Sequence, residues 1–534
     1  DARITIIERG GTLSYAACGL PFFIAGAVKD LRFLSDTPYG AARDAGFFAA
    51  VKDVAVLSHT DALRIERESK TVAVRNLKTG AADSVPYDLL VIATGASPAV
   101  PPIEGVNLKN VFTLHTPPDA AAILKAVESG AEKAVVIGGG MIGLEAADAF
   151  HNQAVDCAIV ELREHLLPDV VDADVAAQLE RRISEMGVAV HTCEKVVRLE
   201  GGGDGRVKKV VTDKRELTAD LVLLSTGIRP NTALARDAAL DVNPETGCIA
   251  VDDRLRTSDP SIFAGGDCVD CLHLVTGKRV FAPLGSTANK HGRVIGDNLT
   301  GGDSAFPGVA GTSVVRVLGM NVARTGVTEK QAADAGFNPV AALVPYTDLS
   351  HFFPGSRHIV VKLVVDADTR KVLGAQVYGA GDVSKRIDVV ASAITFGAAV
   401  DRLANLDLAY APPFSAAMDA VIHAANAARN KLDGLAAAVS AAKIREKLES
   451  GAPLRILDVR SPKEFESSRM KAPVVSHVPL DQLRARAGEL PGDAGIVTVC
   501  PGGLRAYEAQ RILNAAGFRD VAFMDGGMSA WLED

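Results

Sequence analysis

Lys133-Ala134-Val135-Val136-Ile137-Gly138-Gly139-Gly140-Met141-Ile142-Gly143-Leu144-Glu145 decides the fold. It reads as an apolar strand, a glycine turn and a helix start, in that order. A bare Gly-x-Gly-x-x-Gly is a weak pattern, and the bland alternative is a glycine-rich turn without a ligand. Here the turn lies between strand and helix, and the next apolar run, Ala158-Ile159-Val160, ends on Glu161, about 20 residues further on. The glycines let backbone approach a pyrophosphate, and the helix N-terminus offers positive potential. Glu161 would accept ribose hydroxyls and repel a 2′-phosphate, which favours NADH over NADPH.

Outward from this stretch, residues 117–130 predict a helix, with Thr116 as cap, Pro117 in the first turn and Gly130 as stop. Residues 219–227 (Ala-Asp-Leu-Val-Leu-Leu-Ser-Thr-Gly) repeat the apolar-run-then-Thr-Gly pattern of residues 89–95. The chain thus holds two related nucleotide-binding units, one inserted in the other. Residues 3–8 read as a buried strand ending on Glu8, and Ile262-Phe263-Ala264-Gly265-Gly266-Asp267 resumes that first unit. From about residue 311 alternating strands followed by helices predict an antiparallel sheet with helices on one face. Residues 435–441 read as a linker into a new module, which opens with Ile456-Leu457-Asp458-Val459-Arg460 and carries the strand of residues 495–499 straight to Cys500. The expected domains are 1–116 with 246–310, then 117–245, 311–434, a linker at 435–444, and 445–534.

A length of 534 residues fits roughly three or four domains. Hydrophobic content of 48% and charged content of 23% are those of an ordinary globular chain. A net charge of −8 without a basic block disfavours nucleic acid as a partner. No apolar run reaches the roughly 18 residues of a membrane span, and the start carries no signal-peptide pattern, so no membrane partner is expected. Seven scattered cysteines suit a reducing cytoplasm better than a disulfide framework.

Two cysteines stand out. Cys18, in Ser14-Tyr15-Ala16-Ala17-Cys18-Gly19-Leu20-Pro21, has no second cysteine nearby, since the next is Cys157. A lone reactive thiol can form a mixed disulfide, a persulfide or a sulfenic acid; its bland alternative is a small core residue. Cys500-Pro501-Gly502-Gly503-Leu504-Arg505 follows a buried strand and precedes a helix. Such a loop can aim successive N–H groups at one sulfur and favour a thiolate, with Arg505 closing the ring. A phosphatase loop needs one more residue between cysteine and arginine, so the cradle is sized for sulfur. The bland alternative is a buried cysteine before a glycine turn. Cys268-x-x-Cys271 is only half a metal site, with His273 the one nearby nitrogen ligand, and no metal is expected. Cys157, Cys193 and Cys248 read as core, and the eleven histidines make no ligand cluster.

Together these residues resemble the flavoprotein disulfide reductases with two Rossmann-like dinucleotide-binding domains, in the branch of coenzyme A-disulfide reductases and NADH oxidases. Ser14-Tyr15-x-x-Cys18-Gly19-Leu20-Pro21 is similar to that branch's single-cysteine motif. The resemblance implies FAD held by Glu8, Thr94, Gly95, Gly266, Asp267 and Ala288, with Pro283–Arg293 as the helix aimed at the flavin ring. It implies NADH held by Gly138, Gly140, Gly143, Glu145, Glu161 and Gly227, and substrate contacts at Ser14 and Asn289. Tyr410-Ala411-Pro412-Pro413-Phe414-Ser415 is similar to the motif of an α+β dimerisation domain that reaches a partner subunit's active site; this implies a homodimer and a catalytic Tyr410. Asp458-Val459-Arg460, the Cys500–Arg505 loop and Asp525-Gly526-Gly527…Trp531 resemble a C-terminal rhodanese α/β domain. The opening strand, glycine loop and helix of the FAD domain are not found before Asp1, so that domain is expected to be N-terminally truncated. His351-Phe352-Phe353 has phenylalanines where the family often shows tyrosine, Ser468-Arg469-Met470-Lys471-Ala472 replaces the usual Gly-His-x-Pro-Gly, and Ala506 replaces the common serine after Arg505.

The expected activity is FAD-dependent, NADH-linked reduction of coenzyme A disulfide, coenzyme A persulfide or polysulfide. Cys18 would carry the electrons, Cys500 would carry sulfane sulfur, and coenzyme A would be substrate or ligand. Two alternatives remain open at this level: an NADH oxidase or peroxidase using a Cys18 sulfenic acid, and a sulfurtransferase on a non-catalytic flavoprotein scaffold.

Overall fold

The strand Lys133–Ile137 is the middle of a five-stranded parallel sheet ordered Ala189–His191, Asp156–Val160, Lys133–Ile137, Leu221–Leu224, Val111–Phe112. Ala134 to Ile137 are buried, which is why the strand reads as an unbroken apolar run. This sheet belongs to a computed structural model that describes residues 2–470, 475–491 and 495–531. The chain divides into two compact units, Asp1–Leu167 with Ile183–Val309 and Pro168–Arg182 with Ala310–Asp534.

In the first unit the helix Pro117–Glu128 begins and ends as its sequence predicts. The Asp119 carboxylate accepts the Thr116 N–H at 2.9 Å, and Gly130 takes the left-handed turn that stops it. Met141–Asn152 follows the glycine turn as a helix. Ile262–Ala264 pairs in parallel with Leu90–Ile92, bringing the segment before Gly265-Gly266-Asp267 beside the one before Thr94-Gly95. Ile4–Ile7 pairs in parallel with Val54–Leu57, leaving Glu8 at the strand's C-terminal end. Cys157 and Cys248 are buried, but Cys193 is exposed, against the expectation of a core residue. It occupies a positive-φ turn between two short strands, where neighbouring apolar residues face inward and the turn itself faces water.

In the second unit five antiparallel strands run in the order Ser313–Val317, Met320–Gly326, Val372–Gly379, His358–Asp366, Pro339–Thr347. The helices Ser384–Thr395 and Ala420–Leu432 pack on this sheet. Lys362, buried within it, meets Asp172, Asp174 and Glu329 at 3.2, 2.8 and 3.0 Å. Three carboxylates on one ammonium hold it protonated although burial alone would favour the neutral amine.

The C-terminal module is a parallel sheet ordered Ala438–Val439, Val521–Met524, Gly495–Val499, Leu454–Asp458, Val475–His477. Residues 435–444, expected as a linker, belong to it. Ala438–Val439 adds an edge strand to Val521–Met524, and Ser440 caps the helix Ala441–Glu449. An alanine-rich run carries little intrinsic strand preference; the neighbouring strand's open edge supplies it. Asp458 and Arg460 form a buried ion pair at 2.7 Å, and Arg460 also donates to the Ser468 carbonyl. Of the segment replacing Gly-His-x-Pro-Gly, Lys471 and Ala472 lie outside the described residues.

Candidate active site

The glycine turn after Lys133–Ile137 is shaped by two close approaches. A Cβ on Gly138, whose φ is +108°, would collide with the Ser225 carbonyl, and one on Gly143 with the Gly138 carbonyl. At Gly140 a Cβ would meet nothing within 4 Å. That open side, at the N-terminus of Met141–Asn152, is where a pyrophosphate can reach bare backbone. The buried Glu161 carboxylate accepts from the Gly139 N–H and the Arg163 N–H, each at 2.7 Å. These bonds anchor it at the turn and leave acceptor capacity for ribose hydroxyls. Glu145, one turn into the helix, is pushed up to about 7 by burial and then by the charge of Asp148.

The two Thr-Gly segments meet. Ala96–Pro98 pairs antiparallel with Ile228–Pro230, just beyond Thr94-Gly95 and Gly227. The Thr94 hydroxyl donates to the Asn231 carbonyl at 2.6 Å, and the Asn231 amide donates back to the Thr94 carbonyl at 2.9 Å. Sequence reading missed Asn231, which no motif marks. Glu8 accepts the Gly10 N–H at 2.6 Å.

Gly265-Gly266-Asp267 is clamped from behind. The Gly266 N–H donates to Nδ1 of His291 at 3.1 Å, and the Cys268 thiol donates to the Gly265 carbonyl at 3.3 Å. His291 is fully buried on the helix Gly285–Leu299, its Nε2 is 3.6 Å from the Cys271 sulfur, and burial lowers its pKa to about 4. The neutral ring, with its proton on Nε2, therefore supplies a constant acceptor to the turn. Cys268 and Cys271 thus support the Asp267 loop, and no group of three metal-ligating side chains exists among the described residues. Ala288 and Asn289 lie in the second turn of the same helix, where the Asn289 amide donates to the Gly285 carbonyl at 2.8 Å. Glu8 at a strand end, with acceptor capacity for ribose hydroxyls, and the Gly95 turn, where a Cβ would meet nothing within 4 Å, suit the ribose and backbone approach of an FAD.

Cys18 lies in the single turn Ala17–Gly19, ahead of the helix Leu20–Ile24, whose Leu20, Pro21 and Ile24 are buried anchors. Half-buried Ser14 and Tyr15 lead into the turn. The thiol reaches the surface but is partly walled in. That enclosure first, then the charges of Glu145 and Asp267, push it above its ordinary range. Cys18, Glu145 and Asp267 therefore share one electrostatic neighbourhood. The chain's own side chains do not acidify this thiol.

Cys500 is prepared differently. It is 1% exposed, and its sulfur accepts from the N–H groups of Gly503 at 3.1 Å and Ala506 at 3.3 Å. The donors are three residues apart rather than successive, because Ala506 already belongs to the first turn of Leu504–Ala515. Arg505 does not close a ring on the sulfur. Its two terminal nitrogens grip the Glu464 carboxylate at 2.9 and 2.7 Å, which holds Glu464 at about 2. Glu464 escaped the sequence reading as a site residue. Ser461-x-x-Glu464 is visible as a capping box, yet its Arg505 partner lies 41 residues away. In the antiparallel-sheet domain Tyr410 is 53% exposed ahead of a turn whose Ser415 hydroxyl donates to buried Asp419, which Arg386 holds in turn.

Two dinucleotide-type turns with the exposed Cys18 ahead of a short buried helix, followed by a cysteine cradle on a parallel sheet, define a disulfide-reductase architecture joined to a sulfur-carrier domain. The chain belongs to the pyridine nucleotide-disulphide oxidoreductases, an FAD- and NAD(P)H-dependent family, whose model matches residues 1–290. The family's dimerisation domain matches residues 312–422, and a rhodanese-like domain matches residues 440–534. The solved NAD-dependent persulfide reductase from A. fulgidus is 44% identical, with TM-score 0.95, over 100% of this chain and 96% of that one. Reduced Bacillus anthracis CoADR-RHD is 32% identical, with TM-score 0.92, over 99% and 92%. The NAD(P)H coenzyme A polysulfide/persulfide reductase of Pyrococcus horikoshii is 37% identical over 420 residues, 78% of this chain and 91% of that protein. The expected fold class and family are thereby established.

Proposed function

We propose that this enzyme uses NADH to reduce the sulfane sulfur of coenzyme A persulfide or polysulfide, or the disulfide of coenzyme A, with Cys18 as its redox centre and Cys500 as its sulfur carrier. The observation that carries the reading is the pair of cysteines on one chain: the surface thiol of Cys18, within reach of the charges of Glu145 and Asp267, and the buried sulfur of Cys500 accepting from two N–H donors. NADH is held at Gly138, Gly140 and Gly143, with Glu161 on the ribose and Glu145 and Gly227 beside it. Glu8, Thr94, Gly95, Gly266, Asp267 and Ala288 hold FAD, which supplies a two-electron relay when bound. Cys18 attacks the substrate's sulfur–sulfur bond, expelling the coenzyme A thiolate and keeping the sulfane sulfur; two electrons and a proton from NADH then return it to the thiolate and release hydrosulfide. The balance is RSSH + NADH + H⁺ giving RSH + H₂S + NAD⁺. Ser14 and Asn289 contact the substrate. At Cys500 the two N–H donors favour the thiolate that accepts sulfane sulfur, and Arg505 braces the loop through Glu464.

The dimerisation domain supports a homodimer, in which Tyr410 and the 69% exposed Phe414 would reach a partner's site. Seven free thiols favour a reducing compartment such as the cytoplasm, and no helix among the described residues is long and apolar enough to cross a membrane. An oxygen-reducing role has no use for a sulfane carrier. Anaerobic NADH oxidation with coenzyme A persulfide tests the reading. Cys18→Ser should lose at least about a thousandfold in rate, as removal of a covalent centre does, while Cys500→Ser should lose cyanolysable sulfur and keep reduction of preformed persulfide. A Cys18→Ser enzyme that still reduces persulfide sinks the proposal.

A further inference from the structure

The sulfur cradle does not end at the boundary of the rhodanese-like module. The loop carbonyls of Cys500 and Pro501 are gripped from behind by the turn Gly527–Ser529. Met528 N–H donates to the Cys500 carbonyl at 2.8 Å, and the Ser529 N–H and hydroxyl donate to the Pro501 carbonyl at 3.0 and 2.9 Å. The Cys500 carbonyl precedes Pro501, which has no N–H, and the Pro501 carbonyl precedes the Gly502 N–H, so this grip fixes the loop just ahead of Gly503, whose N–H meets the sulfur.

The turn is itself held from outside the module. Asp525, immediately before it, accepts the ammonium of Lys431 at 2.6 Å and faces the Leu343 N–H at 3.4 Å. Lys431 closes the helix Ala420–Leu432 and donates also to the Ala341 carbonyl. Lys431 and Asp525 are only 11% and 18% exposed. The approach is tight: a Cβ on Gly526 would stand 2.6 Å from Leu343 Cδ2, and one on Gly502 would touch Pro345. Leu343 and Pro345 lie on Pro339–Thr347, the sheet's edge strand, so the antiparallel sheet walls the back of the cradle.

We propose that Lys431 of the dimerisation domain is a positioning residue for Cys500, acting through Asp525 and the turn Gly527–Ser529 on the loop segment that leads into Gly503, whose N–H faces the sulfur. The dimerisation domain is thus part of the sulfur-carrier site. Its consequence for chemistry rests on the sulfur-carrier reading above; its consequence for the thiol does not. In loading, the Cys500 thiolate attacks the outer sulfur of coenzyme A persulfide, a Cys500 S–S bond forms, the CoA–S–SH bond breaks, and the coenzyme A thiolate leaves with the electron pair. Aligned N–H donors stabilise that attacking thiolate.

The test follows the two thiols separately in the full-length holoenzyme, by peptide-resolved iodoacetamide labelling across pH and by cyanolysable sulfur after exposure to coenzyme A persulfide. Lys431→Met should slow Cys500 labelling at pH 7 and sulfur loading by about tenfold, the worth of one charge-assisted hydrogen bond. It should move the Cys500 profile to higher pH and leave Cys18 labelling unchanged. Lys431→Arg should restore most of the loss. Should Lys431→Met fold poorly, Asp525→Asn, which keeps the turn and can still face Leu343 N–H, should show the same selective loss. A merely structural latch would lower the melting temperature without moving the Cys500 pH profile, and that result overturns the proposal, as would equal losses at both cysteines. If Cys500→Ser still holds cyanolysable sulfur, the carrier reading falls, while the labelling profile alone decides the role of Lys431.

Discussion

Cys18 and Cys500 are the two chemically equipped thiols of this chain, and the protein prepares them in opposite ways. Cys18 reaches the surface yet is pushed toward the neutral thiol by partial burial and by Glu145 and Asp267. Cys500 is enclosed yet meets two N–H donors. Preorganised donors cost nothing at the moment of reaction, so a sulfur carrier can hold its nucleophile ready. A thiol among carboxylates gains thiolate character only when something else enters its site. The difference teaches that one cysteine meets hydrogen-bond donors supplied by the fold, whereas the other, on the proposed mechanism, depends on what enters its site. This suits a carrier that waits loaded and a redox centre that should be quiet when empty.

The largest effect expected from breaking this contrast is at Gly527. It sits at φ +58°, and a Cβ there would strike the Cys500 carbonyl and stand 2.8 Å from the Gly502 and Gly503 nitrogens. Gly527→Ala should therefore both strain the turn, by roughly 1–3 kcal/mol, and rotate the loop peptides off the sulfur. Loading of sulfane sulfur on Cys500 should fall by about a hundredfold or more, with labelling of Cys18 unchanged. The measurement is cyanolysable sulfur per chain beside Cys18 labelling. Loss at both thiols would show that the two regions are not independently built.

How much of this was readable in sequence differs between the regions for a physical reason. The Gly138–Gly143 turn, Glu161 and the strand before Cys500 are local patterns, each fixed within a few tens of residues, and each stands where the spacing puts it. The Thr-Gly repeat was visible, but not that Thr94 exchanges bonds with Asn231, 137 residues on. Loop position alone points Arg505 at the sulfur. A guanidinium chooses the best carboxylate in space, and Glu464 comes from another helix. His291 carried no signal beyond its place on the helix Gly285–Leu299. Long-range polar pairing leaves no period in the chain, and that is the part that stayed hidden.

A smaller effect sharpens the contrast at Cys18. Glu145→Gln removes a neighbouring charge that disfavours the thiolate, so the Cys18 labelling profile should move to lower pH and its rate near pH 8 should rise several-fold. The profile of Cys500 should stay where it is. Because burial pushes Glu145 up to about 7, the gain over the parent should be largest above that pH and fade as pH falls through it, where the parent's carboxyl becomes neutral. A gain of equal size at all pH values would mean that Gln acts by shape, and Glu145 would no longer count among the groups that keep the empty site quiet.

The smallest effect concerns Arg505, and its sign can be worked out. Glu464 is lowered from 4.5 to about 2, chiefly by its hydrogen bonds from Arg505. A depressed carboxylate contributes stability that is fully present above its unfolded value and is lost as pH falls through the folded one. Both partners are more than a third exposed, at 36% and 38%, so water screens most of the apparent shift. Glu464→Gln should therefore cost about 0.2–1 kcal/mol at pH 7, in the range of exposed pairs. The cost should shrink as pH drops from about 4.5 toward 2. Thermal unfolding of parent and variant at neutral and acid pH measures it. If Arg505 braces the loop, freeing its guanidinium slows sulfur loading at Cys500 slightly. If instead the freed cation turns toward the sulfur, loading of an anionic persulfide speeds up, and Arg505 would be a catalytic group that Glu464 holds in reserve.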